Sequence, residues 1–249
     1  MEKPTSSPYT DPPAWQKRIL YRLIGLMTYP GLQLFNRLYI TGMDKLSSLP
    51  KQNVLFVCNH QTYFADVISL LHIFCAAQWG HKRGLGFPLY LLWPKTSVVY
   101  VAAAATMQKT WIARLFTLAG AITVKRVWNE TSGERLQGLD MGPTRAIAKA
   151  LEKNWVITFP QGTTTPYAPG RKGTCVTIKT SRPTVVPIVL DGFSTAFDKT
   201  GLKLRRWGTP LRVTIKDPLV LDLNDSHENM LMHIMDAIEQ SPRFQTKLS

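Results

Sequence analysis

The sequence predicts an α/β domain with a mostly parallel central sheet flanked by helices, preceded by an amphipathic helical segment. Three observations carry this. Short apolar runs such as Asn53–Cys58 show no alternation, which suits strands of a sheet buried on both faces. Segments of helical spacing alternate with those runs along most of the chain. Hydrophobic residues make up 45% of the 249 residues and charged residues 18%, enough for a sizeable core and against global disorder.

Taken in order, residues 1–13 are polar and proline-rich and read as a disordered tail lacking the charged-then-apolar order of a secretory signal. Ala14–Thr28 has helical spacing, with Ile19, Leu20, Leu23, Ile24 and Met27 clustered and Arg18 and Arg22 elsewhere, until Pro30-Gly31 interrupts it. The amphipathic unit is bounded at residues 14–36 and the main domain at 37–249. Strands are expected at Arg37–Thr41, Asn53–Cys58, Val98–Ala102, Ala121–Val124, Trp155–Phe159, Val185–Leu190 and Leu211–Ile215. Helices are expected at Val67–Ala77, Trp111–Leu118, Pro143–Lys153 and His227–Glu239.

The chain carries 30 Lys+Arg against 16 Asp+Glu, a formal charge of +14. Such an excess implies an anionic partner. Nucleic acid is disfavoured, because no recognition motif is present and the aromatic residues lie in apolar runs instead of along a basic stripe. A membrane surface fits better. Trp15–Leu38 mixes aromatic and aliphatic residues with Lys17, Arg18, Arg22 and Arg37, and no stretch reaches the roughly 20 uninterrupted apolar residues that span a bilayer. Cys58, Cys75 and Cys175 are far apart, with neither disulfide nor zinc spacing, as in a reducing compartment.

Chemistry concentrates at three places. In "VCNHQTYFAD", His60 and Asp66 follow a strand. Histidine can take a proton near neutral pH, and a carboxylate can fix its tautomer and stabilise its cation. On a continuous helix a six-residue step leaves two side chains about 120° apart, so the pair can meet only if His60 sits in the strand-to-helix turn and folds back. Asn59, Gln61 and Thr62 suit such a turn. Otherwise His60 caps a strand and Asp66 is solvated. In "GAITVKR", Arg126 at a strand end suits bidentate binding of a phosphate, with Lys125 adding charge. In "FPQGTTTPYAPG", Gly162 permits close backbone approach, and free N–H groups and threonine hydroxyls suit anionic oxygens. Each of these also has a plain structural reading, as a solvated strand end or a Pro/Gly loop.

The order of the blocks is more specific than any one of them. His60 with its acid, Gly-x-Ile-x-x-x-Arg, Phe-Pro-x-Gly-Thr and Val185-Val186-Pro187-Ile188 together resemble the glycerolphosphate acyltransferase family that includes bacterial lysophosphatidate acyltransferases, over roughly residues 37 to 190. The resemblance implies the fold of that family. It implies transfer of a fatty acyl group from acyl-CoA or acyl carrier protein to a lysophospholipid such as 1-acylglycerol-3-phosphate, in phospholipid biosynthesis. His60 is then the base and Asp66 its orienting acid; Lys125, Arg126, Gln161, Gly162 and Thr163 serve substrate binding. No metal or other cofactor is expected. The expected partners are membrane lipids, the lysophospholipid acceptor and the acyl donor, at the cytoplasmic face of a bacterial inner membrane. The alternatives are an amino-acid lipid as acceptor, or a catalytically silent lipid-binding relative.

The chain departs from the family pattern in places. Five residues separate His60 from Asp66, one more than usual, and Ala65 stands where the acid is expected. The extra residue is expected to be absorbed in the turn after Cys58. Gln161 replaces a glutamate, and Thr164 and Thr165 replace the usual arginine or serine. The stretch His81–Lys95, basic at both ends and apolar between, reads as an insertion that either rests in a membrane, covers an acyl chain, or adds core.

Overall fold

The computed structural model describes residues 11–103, 111–124 and 142–245. Its centre is a seven-stranded sheet: β1 Arg37–Thr41, β2 Val54–Cys58, β3 Val98–Ala103, β4 Ala121–Val124, β5 Trp155–Thr158, β6 Thr184–Asp191 and β7 Pro210–Ile215. The spatial order is β1-β7-β6-β2-β5-β3-β4. All neighbours are parallel except β6 and β7. The apolar runs are unbroken because both faces are covered. Val54, Phe56 and Cys58 enter one core, while Leu55 and Val57 enter the other.

The first face carries α1 (Ala14–Gln33), α2 (Ala65–Gln78), α3 (Trp111–Leu118) and a short 3-10 turn at Pro88–Leu92. The second carries α4 (Gly142–Leu151), α5 (Gly173–Ser181) and α7 (His227–Ala237). Two single-turn helices, α6 (Phe193–Ala196) after β6 and α8 (Pro242–Gln245), and a 3-10 helix at Met43–Ser48 complete the described elements.

Three elements differ from the sequence reading. Helix α1 runs through Pro30 to Gln33. Proline deletes one amide but leaves its carbonyl, and Pro30 O accepts from both Leu34 N and Phe35 N. Asn36 Nδ2 then holds Gly31 O, and Leu32 is buried, so tertiary contacts carry the last turn. Helix α5 has β-branched residues at several positions and weak intrinsic preference; it forms because Cys175 and Ile178 are buried in the second core. The 3-10 turn divides the His81–Lys95 stretch. Leu85, Tyr90 and Leu91 are core, while Phe87, Leu89, Leu92 and Trp93 are exposed.

Most of the expected tail, residues 1–10, and the basic pair Lys125–Arg126 lie outside the described residues. No described helix is long and apolar enough to cross a membrane.

Candidate functional site

The carboxyl ends of three adjacent strands, β6, β2 and β5, meet at one edge of the sheet, the place where ligands bind in parallel α/β sheets. The chain leaving β2 turns sharply through residues 59–64 before α2 begins at Ala65. Within that turn His60 folds back, and its Nδ1 lies 2.9 Å from Asp66 Oδ2. Asp66 occupies the first turn of α2, where the helix N-terminus favours a negative charge.

Asp66 is fully buried, and a buried carboxylate needs its oxygens filled. Oδ2 accepts from Gln61 N at 2.6 Å and Thr62 N at 3.1 Å, and Oδ1 accepts from the Thr62 hydroxyl at 2.7 Å. With every neighbour donating, the carboxylate is an acceptor only. His60 Nδ1 therefore carries the proton toward Asp66, leaving Nε2 with the lone pair. The His60 ring also stacks on Phe159, at the end of β5, with centroids 3.9 Å apart. Imidazole orientation is thus set by a hydrogen bond on one edge and an aromatic face on one side.

The turn itself is tied down. Asn59 is buried and exchanges two bonds with Leu190 of β6, Nδ2 to O at 2.8 Å and Oδ1 from N at 2.7 Å. Gln61 Oε1 accepts from Phe193 N at 2.8 Å. Cys58, two residues before His60, is no nucleophile: burial first, then the charge of Asp66, push its thiol well above the ordinary range.

The Phe-Pro-Gln-Gly-Thr block follows β5. Gly162 has φ +63°, a left-handed conformation, and a Cβ there would stand 3.0 Å from the Arg171 guanidinium. Gly162 N donates to Phe159 O at 2.9 Å, so this amide closes its own turn and does not face outward. Gln161 is buried, with Nε2 donating to Ala168 O at 3.0 Å and to Gln240 Oε1 at 3.2 Å, and so points into the protein. The Thr163 hydroxyl donates to Thr165 Oγ1 at 3.2 Å.

The structure therefore brings together His60, Asp66 and the start of the glycine block through Phe159. Lys125 and Arg126 fall outside the described residues; β4 ends at Val124 on the same sheet edge, three strand positions from β2, about 15 Å away at the usual inter-strand spacing. Sequence reasoning passed over four contributors: Thr62 as a carboxylate donor, Phe159 as the ring's platform, Gln61 as an anchor to the start of α6, and Arg171 packed over Gly162. Only Thr62 had a local signal, a hydroxyl four residues before the acid.

Comparison with known proteins bears on the family and the fold. No curated protein matches the chain significantly. Among solved structures, the crystal structure of the 1-acyl-sn-glycerophosphate acyltransferase PlsC from Thermotoga maritima is similar, with TM-score 0.55 and 16% identity over 94% of this chain and 80% of that one, a likeness of fold. A family model described as Acyltransferase matches residues 37–191, which include β1 through β6 and every residue of the His60 turn. With that match over more than half its length, this chain belongs to the acyltransferase family, and its enzymatic class is acyl transfer.

Proposed function

We propose that the protein transfers a fatty acyl group from a thioester donor, acyl-CoA or acyl carrier protein, to the free hydroxyl of a lysophospholipid. The observation that carries this reading is the His60–Asp66 pair, a partly exposed imidazole held by a fully buried carboxylate. Nε2 of His60 takes the proton as the hydroxyl oxygen attacks the thioester carbonyl. Asp66 stabilises the imidazolium that results. The tetrahedral intermediate collapses with cleavage of the C–S bond, and the thiolate leaves with that proton. Lys125 and Arg126 bind the acceptor's phosphate. The Gly162–Thr163 turn, carried by buried Gln161 and bordered by Arg171, forms the neighbouring wall.

The first face of the sheet is apolar beside the catalytic turn. A small apolar pocket of about 20 Å³ between α1, α2 and α3 is lined by Tyr21, Ile24, Leu71, Leu91 and Phe116. Phe116 stacks on Phe64 of the His60 turn, centroids 4.5 Å apart, so the apolar lining continues to the catalytic turn.

Support for membrane lipids as the setting comes from the outer face of α1. Trp15, Ile19, Leu23, Leu26 and Met27 are all exposed there. The 3-10 turn packs beside it, with Arg22 Nη2 donating to Leu92 O at 2.6 Å and Arg18 over the Trp93 ring. Phe87, Leu89, Leu92 and Trp93 extend the apolar face, and the cations among them suit anionic headgroups.

The test is to incubate purified protein with acyl-CoA or acyl-loaded carrier protein and a panel of lyso-lipids in vesicles, identifying products by mass. A diacyl product formed by the wild type and absent with His60→Ala is the expected result. Thioester hydrolysis with no acylated acceptor from any lyso-lipid would overturn the proposal.

A further inference from the structure

The His60 turn is one residue longer than its family pattern, yet it delivers Asp66 to His60. The reason lies in a distant segment, residues 198–203, between α6 and β7. The backbone carbonyls of Lys199 and Thr200 accept Tyr63 N at 3.1 Å and Phe64 N at 2.9 Å. Gln61 N and Thr62 N go to Asp66 within the turn, whereas Tyr63 N and Phe64 N go to this distant segment. Each residue of the turn thus has an anchor: Asn59 to Leu190, His60 and Thr62 to Asp66, Gln61 to Phe193, and Tyr63 and Phe64 to the 198–203 segment.

That segment is itself a closed turn. Asp198 Oδ1 accepts from Gly201 N at 3.0 Å, Leu202 N at 3.1 Å and Lys203 N at 3.1 Å, and the Thr200 hydroxyl donates to the same carboxylate at 2.8 Å. Burial alone would raise the Asp198 pKa, but bonds from Lys203, Thr200, Leu202 and Gly201 outweigh it and hold the group below its ordinary value. The turn also presses on the start of α2. A Cβ at Gly201, where φ is +78°, would stand 2.5 Å from Ala65 N, 2.8 Å from Thr62 Oγ1 and 2.9 Å from Ala65 Cβ. The place where a shorter spacing would put the acid is therefore occupied by this turn, and a small residue, Ala65, is what fits beneath it.

We propose that the Asp198-closed turn is a positioning device for the His60–Asp66 pair: it holds the additional residue of the His60 turn by its backbone and excludes a larger side chain at position 65, so that Asp66 is the acid presented to the ring. Asp198 is a positioning residue, touching neither the imidazole nor Asp66. The catalytic consequence rests on the acyl-transfer reading above, whereas the positioning itself does not.

The experiment compares wild type, Asp198→Ala, Asp198→Asn and Thr200→Val. Three quantities are read on each: kcat and KM for the lyso-lipid acceptor, thermal melting, and the far-downfield NMR resonance of the His60 Nδ1 proton shared with Asp66. Asn keeps an oxygen for the three amides, and Ala removes it. The expected result is a fall in kcat of about 10- to 100-fold for Asp198→Ala, the scale of a small misplacement of a catalytic group. KM should stay within about twofold, the proton resonance should be lost or broadened, and Asp198→Asn should largely restore both. Wild-type kcat and an intact resonance in a folded Asp198→Ala protein would overturn the proposal. If Asp198→Ala does not fold, Thr200→Val decides: the same losses in smaller measure support it, and an unchanged resonance overturns it. If no variant or wild type acylates any acceptor but the resonance still disappears with Asp198→Ala, the positioning stands and the acyl-transfer reading falls.

Discussion

At His60 the two ring nitrogens have different tasks, and the difference is set by neighbours. Nδ1 faces Asp66 Oδ2 at 2.9 Å, and Nε2 keeps the lone pair. His60→Ala should abolish turnover. Asp66→Asn should lower kcat by about two orders of magnitude or more, because a neutral amide cannot stabilise the imidazolium. Steady-state kinetics on the acylation assay checks both. The two variants should also differ in stability: Asp66 is fully buried and collects Gln61 N, Thr62 N and the Thr62 hydroxyl, so its replacement should cost about 1–3 kcal/mol, while the partly exposed His60 costs little. Gln161 explains a departure from the family at the same scale. Its Nε2 meets two acceptors, Ala168 O and Gln240 Oε1, and Gln240 Oε1 is fixed by also accepting Tyr167 N at 2.9 Å. Gln161→Glu would set a carboxylate against those acceptors, and denaturant unfolding at neutral pH should show a loss of about 1–3 kcal/mol.

At the scale of elements, a buried histidine staples the first face together. His72 of α2 is enclosed, with Nε2 3.0 Å from Thr28 Oγ1 on α1 and Nδ1 2.7 Å from the Tyr90 hydroxyl in the 3-10 turn. Thr28 spends its proton on Ile24 O, so it accepts from Nε2–H, and Tyr90 donates to Nδ1. This network fits only the neutral imidazole, and burial lowers the His72 pKa from 6.5 to about 4. The unfolded chain binds the proton more readily, so the stability is fully present above about pH 6.5 and is lost progressively as pH falls toward 4. Between pH 7 and pH 5 the loss should be about 2 kcal/mol. Denaturant melts across that range check it: His72→Gln should flatten the slope.

For the whole molecule, the proposed setting at an anionic bilayer surface rests on the formal charge of +14 and the exposed apolar face of α1. Removing α1 is not a clean test, because Lys17, Tyr21 and Leu32 are buried and the Tyr21 hydroxyl reaches Ala119 O at 3.0 Å. Substituting its outer face leaves those contacts alone. Leu23→Ser, Leu26→Ser and Met27→Ser together should reduce co-sedimentation with anionic vesicles by about tenfold or more, at a few tens of cal/mol per Å² of apolar surface no longer buried, with melting temperature little changed. Added salt should weaken wild-type binding as well, since the headgroup attraction is screened. Equal binding of the triple variant would place the contact elsewhere.

Much of this was legible in the chain itself. Apolar runs without alternation fixed the parallel strands, because a strand covered on both faces has no polar side to show. The ordered blocks pointed to the family, since residue types and their order survive in the linear sequence. His60 and Asp66 were visible as a pair of suitable chemistry. Their contact was expected from a turn that folds back, and it is present at 2.9 Å; the groups that close the turn were not legible, because they are Leu190, Phe193, Lys199 and Thr200, more than a hundred positions away. Helix α5 and the last turn of α1 were illegible for the same reason: local preference opposes them, and burial against distant residues outweighs it. The sequence determined which chemical groups reach one edge of the sheet; only the tertiary structure decided which nitrogen of His60 faces Asp66, and which amides and carbonyls hold it there.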